Sequence, residues 1–198
     1  LFLFFTTNVF SSDINYEKIG EWNIVIPFGL TSMLNDNTLT TLFNNSGSVT
    51  LNNKKGNINS CIEKGYLHGK NNISSSFRCH ITMNDNAIIF LEYNYIIRTA
   101  KEFWDMWSKG LEINAPNNGM EYFFAEFKMM SSNEKYSWLN GNILIGKGEY
   151  LRGPTEESNG LAKYDLFHKI KFFNGLLLIV LFALFLSSCL NTNSNNQK

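Results

Sequence analysis

The chain has 198 residues, no formal net charge, and 44% hydrophobic and 15% aromatic residues. That length favours one domain with additional segments, and the balanced charge supplies no basic face of the kind a nucleic-acid partner requires. Asparagine recurs in runs such as NDN and NTNSNN, so motifs built on Asn are discounted as compositional.

Residues 1–12, LFLFFTTNVFSS, form a short apolar run ending in small residues. This is the pattern of a partial signal peptide cut after Ser11, lacking the positive leading region; the alternative is a buried first strand. EWNIVIPFGL (21–30) and SGSVTLNN (46–53) are strand candidates. Asn44 and Asn72 head Asn-x-Ser glycosylation sequons. Between Cys61 and Cys79, turn residues cluster at Gly69-Lys70-Asn71-Asn72, so a hairpin centred near Lys70 places the two cysteines opposite each other. An oxidising compartment would make them a candidate cross-strand disulfide; the alternative is two small buried thiols that face each other.

In ISSSFRCHITM (73–83), Phe77, Cys79, Ile81 and Met83 share one face and Arg78, His80 and Thr82 the other. Asn84-Asp85-Asn86 tolerates the left-handed backbone of a turn, and AIIFLEYNYII (87–97) alternates again, so the two segments read as a β-hairpin. Phe103, Trp104 and Trp107 recur at helical spacing in TAKEFWDMWSK (99–109), which Gly110 stops. NAPNNG (114–119) is a loop. MEYFFAEFKMM (120–130) and NGNILIGKGEYL (141–151) are strands. About seven short strands and one helix predict an all-β fold, most simply a small closed antiparallel barrel over residues 21–151.

Residues 153–171 read as a polar tether. FFNGLLLIVLFALFLSSCL (172–190) carries no charge and is apolar all round, so it is expected to be a transmembrane helix and the chain's membrane partner, with 191–198 as a polar tail. The signal-peptide reading places the barrel outside the cell or in a lumen. Lys169 and Lys171 instead favour a tail-anchored protein with a cytosolic barrel. Ser158-Asn159-Gly160, followed by a spacer and the apolar run, fits a lipid-anchor signal.

Several segments resemble one family. RCHITMNDNAII resembles, without gaps, a stretch running Arg-Tyr-x-Leu-x-x-Asp-Asp-Gly-Ala-x-Ile. EFWDMWSKGLEI resembles a short helix ending in Gly-Glu, and EYFF…KYSWLN a Tyr-Phe-Arg…Phe-Glu…Tyr-x-Trp-Leu-Asn signature. SGSVTLNNKKGNI is similar to a glycine run of which Gly47 and Gly56 survive. These are features of the Domain of Unknown Function 3237 family, over about residues 21–151. The resemblance implies a lipocalin-like or allene-oxide-cyclase-like barrel able to enclose one small ligand; the family carries no settled activity. The chain departs from the pattern at Phe124 (Arg in the family), Met129-Met130 (Phe-Glu) and Cys79 (Tyr). Two charges are thereby replaced by apolar groups, which puts any chemistry that used them in doubt.

The candidate ligand-binding residues are Arg78, Glu92, Tyr93, Tyr122, Tyr136, Trp138 and Asn140. Tyr136 and Trp138 share a face if the chain is extended there. They either plug the core or barrel end, with Asn140-Gly141 as a turn, or stand at a cavity mouth where they stack on a ligand that Asn140 hydrogen-bonds. Pairing the hairpin about Asp85 sets Arg78 opposite Glu92 as a cross-strand ion pair. No catalytic constellation, metal-ligand spacing or cofactor motif is present. Two functions follow as expectations: a binding module for a small apolar ligand or partner, or an isomerase- or cyclase-like enzyme acting on a small apolar substrate.

Overall fold

The computed structural model describes residues 15–44, 47–116 and 118–170. In chain order the strands are β1 (Asn15–Ile26), β2 (Thr31–Asn35), β3 (Thr38–Asn44), β4 (Gly47–Leu51), β5 (Lys54–His68), β6 (Asn72–Met83), β7 (Ile88–Thr99), β8 (Glu112–Asn114), β9 (Met120–Met130), β10 (Ile143–Arg152) and β11 (Gly160–Ile170). A short helix α1 (Phe103–Ser108) follows β7, and a 3-10 helix, Glu134–Leu139, links β9 to β10. The strands β1, β11, β10, β9, β7, β6, β5 and β4 are neighbours in that order, and β4 pairs back onto β1. The result is a closed antiparallel barrel of eight strands. β3 pairs with the second half of β5 and carries β2, exposed along its length, as an outermost strand.

The hairpin expected from alternation forms in the predicted register, with Arg78 opposite Glu92 and Ile81 opposite Ile89. β5 and β6 pair with Cys61 opposite Cys79. Asn86 takes a φ of 66° in the β6–β7 turn, the left-handed conformation that Asn tolerates. Asn52 and Asn53 do the same in the tight β4–β5 connection, at φ of 46° and 64°.

Residues 153–171 are not a tether, because β11 occupies 160–170 and closes the wall between β10 and β1. Its polarity is that of a strand wet on one side. Ala162, Tyr164 and Leu166 are buried, while Lys163 and Asp165 stand on the outer face. Lys18 and Glu21 of β1 reach across to them, with Lys18 Nζ 2.7 Å from Asp165 and Lys163 Nζ 3.5 Å from Glu21. The strand expected at 141–151 begins two residues later, at Ile143, and the β2–β3 hairpin and short β8 are additional to the expected strands. Among the described residues no helix is long and apolar enough to cross a membrane. Residues 1–12, the apolar run 172–190 and the tail 191–198 lie outside the described residues.

The barrel is filled unevenly. At one end Trp22, Ile58, Met83, Leu91, Phe127, Leu144 and Leu166 interdigitate, and the 3-10 helix inserts Tyr136 and Leu139 as a plug. Two inward glycines on β10 make this aromatic packing possible. A Cβ on Gly146 would lie 2.4 Å from the Phe127 ring, and one on Gly148 would lie 1.9 Å from the Phe123 ring. The rings occupy space that side chains on β10 would otherwise fill. Gly148→Ala is therefore expected to overpack the core by about 1–3 kcal/mol, read as a lowered denaturant midpoint; an unchanged midpoint would show that Phe123 moves aside freely.

Candidate functional site

The other end of the barrel is hollow. A cavity of about 380 Å³ runs inward from an opening between the Pro27–Gly29 turn, β2 and α1. Phe28, Met33 and Trp104 stand exposed at this rim, with Trp107 beside them. The walls are Ile24, Phe43, Ile73, Phe77, Ile97, Phe123 and Leu151, together with the rings of Tyr93, Tyr95 and Tyr164. Among the inward positions at this end, Thr41 of β3 and Ala162 of β11 are small side chains that line the space.

One carboxylic acid faces this cavity. Glu63 lies on the inward face of β5 and is 7% exposed. Tyr95 donates its hydroxyl to Oε1 at 3.0 Å. Ser75 shares its single hydroxyl proton between the same oxygen at 2.8 Å and the Lys64 carbonyl at 3.0 Å. Thr41 adds a third hydroxyl contact. Burial pushes the Glu63 carboxyl above the usual carboxylate range, against the pull of these three donors. Burial holds the Tyr93, Tyr95 and Tyr164 phenols well above their ordinary range; the Glu63 charge comes next for Tyr93 and Tyr95, and the neighbouring tyrosines Tyr93 and Tyr95 come next for Tyr164. Among the described residues no Lys, Arg or His lines the cavity to neutralise Glu63. Among the described residues no cluster of His, Cys, Asp and Glu could hold a metal ion.

Of the residues expected at a ligand site, the structure puts Tyr93 in the cavity wall and the others elsewhere. Arg78 and Glu92 form their ion pair at 3.0 Å on the outer face, with side chains 71% and 40% exposed; such a pair is screened by water and contributes little. Tyr122 lies outside on β9, its ring against Phe124. Tyr136, Trp138 and Asn140 stand at the plugged end, so they cannot stack on or bond a ligand entering the mouth. The segment is helical rather than extended, which buries Tyr136 and leaves Trp138 half-buried against His168. Tyr136 donates its hydroxyl to Asp85 Oδ2 at 3.1 Å, and Lys135 pairs with the same carboxylate. The Lys135 contact, more than Tyr136, holds Asp85 below its usual range. Asn140 accepts from the Ser131 amide and donates to the Ser131 carbonyl, both at 2.9 Å, and so ties the connection shut.

Cys61 and Cys79 are joined as a disulfide between β5 and β6, two residues from Glu63. Asn72 heads β6 on the surface; Asn44 ends β3, with the other two residues of its sequon outside the described residues. The departures at Phe124 and Met130 lie on the outer face, while Met129 and Cys79 are buried. Neither replaced charge falls in the cavity wall.

Sequence reasoning passed over Glu63. A strand alternation was present, with Cys61, Glu63, Gly65 and Leu67 on one face, but a glutamate between Ile62 and Lys64 reads as surface.

The displaced pKa gives a direct check. Because the folded pKa of Glu63 is raised, its proton favours the folded state. That contribution is complete below the ordinary carboxylate pKa of about 4.3 and is lost as pH rises through the folded value. Glu63→Gln, which keeps acceptors for Ser75 and Tyr95, should match the wild type in Tm near pH 4 and exceed it at pH 8. Each kcal/mol relieved reads as about 2–4 °C. Equal Tm values at pH 8 would mean the carboxylate is stabilised in place.

Among curated proteins none matches the sequence. Solved structures do. A conserved protein of unknown function from Rhodopseudomonas palustris is 12% identical, covering 79% of this chain and 97% of its own, at a TM-score of 0.63. A protein of unknown function from Clostridium acetobutylicum is 20% identical over 80% of this chain and 98% of its own, at 0.59. A β-barrel-like protein from Acinetobacter baumannii is 19% identical over 77% and 96%, at 0.54. These likenesses show the fold. The model of the family described as "Protein of unknown function (DUF3237)" matches residues 40–168, from β3 to the end of the barrel wall, and the chain therefore belongs to that family.

Proposed function

We propose that this barrel is a binding module for one small apolar molecule, taken through the mouth beside α1. The observation that carries this reading is the cavity: about 380 Å³, open at one end, walled mostly by apolar and aromatic side chains, with Glu63 and a few hydroxyls as its polar groups. That volume and this balance of many apolar contacts to few polar ones are those of ordinary small-molecule sites. A barrel built only for packing would bring large side chains to both ends, as this one does at the plugged end.

A second reading draws on Glu63. An acid held in a dry site next to a phenol is suited to proton transfer, so an isomerase- or cyclase-like reaction on a small apolar substrate fits the same space. Under that reading Glu63→Gln removes turnover and leaves binding in place.

We further propose that residues 172–190 hold the barrel at a membrane, with the barrel outside the cell or in a lumen. The uncharged apolar run, the Cys61–Cys79 disulfide and the exposed Asn72 sequon support this. The lipid-anchor alternative at Ser158–Gly160 is not carried forward, since cleavage there would delete β11 from the barrel. β11 runs from Ala162 at the cavity to His168 at the plug, and β1 runs the opposite way.

Two measurements test these readings. Benzyl alcohol titrated calorimetrically into the full chain in detergent micelles, with empty micelles subtracted, should give a saturable one-site isotherm. Leu67→Trp, which fills the cavity from its half-buried wall, should abolish it; absence of binding to the wild type would end the ligand-cavity reading. In sealed microsomes the barrel should resist protease until detergent is added and should carry a glycosidase-sensitive glycan that Asn72→Gln removes. A barrel digested without detergent would place it in the cytosol.

A further inference from the structure

Among the described residues the cavity wall holds one carboxyl group, Glu63, and no Lys, Arg or His. A buried carboxylate without a counter-charge is costly, yet the fold invests three hydroxyls, from Thr41, Ser75 and Tyr95, in orienting this one. A carboxylate offers about four lone-pair positions, so a further donor can still be accepted. Aromatic rings crowd the same place. Phe77 stacks on Tyr93 at 4.4 Å between centroids, and Tyr164 meets Tyr93 edge-on at 6.1 Å. Both Tyr93 and Tyr164 lie close enough to Glu63 to feel its charge.

We propose that the cavity is an ammonium site. It takes a protonated apolar amine whose cation rests on the Glu63 carboxylate, among the rings of Phe77, Tyr93, Tyr95 and Tyr164, with the apolar body toward the mouth. This deepens the ligand-cavity reading and rests on it. The ligand supplies the positive charge that the wall lacks, and a charge-assisted hydrogen bond to a carboxylate is roughly twice as strong as a neutral one. Ring faces attract the same cation through their negative quadrupoles, a role for Phe77, Tyr95 and Tyr164 rather than for Tyr93, which is stacked between Phe77 and Phe127. A carboxylate or phosphate ligand meets the opposite: a like charge at depth and no Lys, Arg or His to offset it. The interior therefore excludes fatty acids while accepting amines of the same size.

The test compares benzylamine, benzyl alcohol and benzoate, which share one ring and differ in charge, by calorimetry at pH 7.5 on the full chain in micelles. Benzylamine should bind about tenfold or more tightly than benzyl alcohol, a difference of about 1.4 kcal/mol, and benzoate should not bind. In Glu63→Gln, benzylamine should lose its advantage and bind no more tightly than benzyl alcohol does to the same variant. The wild-type series alone can overturn the proposal, through benzoate binding as well as benzylamine or benzylamine gaining nothing over benzyl alcohol. An amine preference that survives in Glu63→Gln would overturn the role of Glu63. Benzyl alcohol binding without amine preference defeats only the ammonium site. Failure of all three probes defeats the cavity reading itself.

Discussion

The rest of this structure depends on closure of the sheet. Eight strands closed edge to edge leave no free ladder in the ring and fix an interior just wide enough to be filled by side chains or to hold one small ligand. Side-chain size along each strand then decides which of the two happens. Phe127, Trp22 and Leu166 are large where the barrel is solid, whereas Thr41 and Ala162 are small where it is hollow. Gly146 and Gly148 show how tight the margin is. Rings from β9 occupy the room those two positions leave, so the aromatic wall is as much a property of β10 as of the aromatics themselves.

Within that frame Glu63 is the anomaly. Residues buried to this degree are otherwise almost all apolar, apart from Thr41, Ser75, Thr99 and Ser131. A carboxyl held there by hydroxyls alone is a local conflict between burial and charge, and such conflicts gather at sites of function. The outer-face pair Arg78–Glu92 shows the contrast. It gives a carboxylate the counter-charge that Glu63 lacks, and does so in water, where the pair contributes little.

Much of the wall was legible in the sequence because its strands are wet on one side. The hairpin about Asp85 alternates cleanly and its turn fixes the 78–92 pairing, while the turn residues near Lys70 fix the 61–79 pairing. The signature around Trp138 identified the family without revealing that the segment is helical. Spacing of two residues suits a strand, and only the Asn133 cap and the Asn140 tie to Ser131 select the tighter turn. The β2–β3 hairpin was hidden because TSMLNDNTLTT has no apolar alternation to separate it from Asn-rich background. β11 was hidden by its charged outer face, which resembles a linker when the buried Ala162, Tyr164 and Leu166 are not weighed against it. The cavity itself could not be read at all, since a hollow is set by residues distant in sequence that are small together.

The strands that carry the two ends of the described chain, β1 and β11, are antiparallel neighbours whose outer ends lie side by side at the plugged end. This arrangement has a mechanical meaning. Tension applied between the two ends would pull β1 from β11 as a zipper opens, loading the Lys18–Asp165 bridge and its neighbouring ladder bonds one at a time rather than together. A barrel in which the ends left from opposite rims would resist the same tension in shear, with every bond along the seam sharing the load.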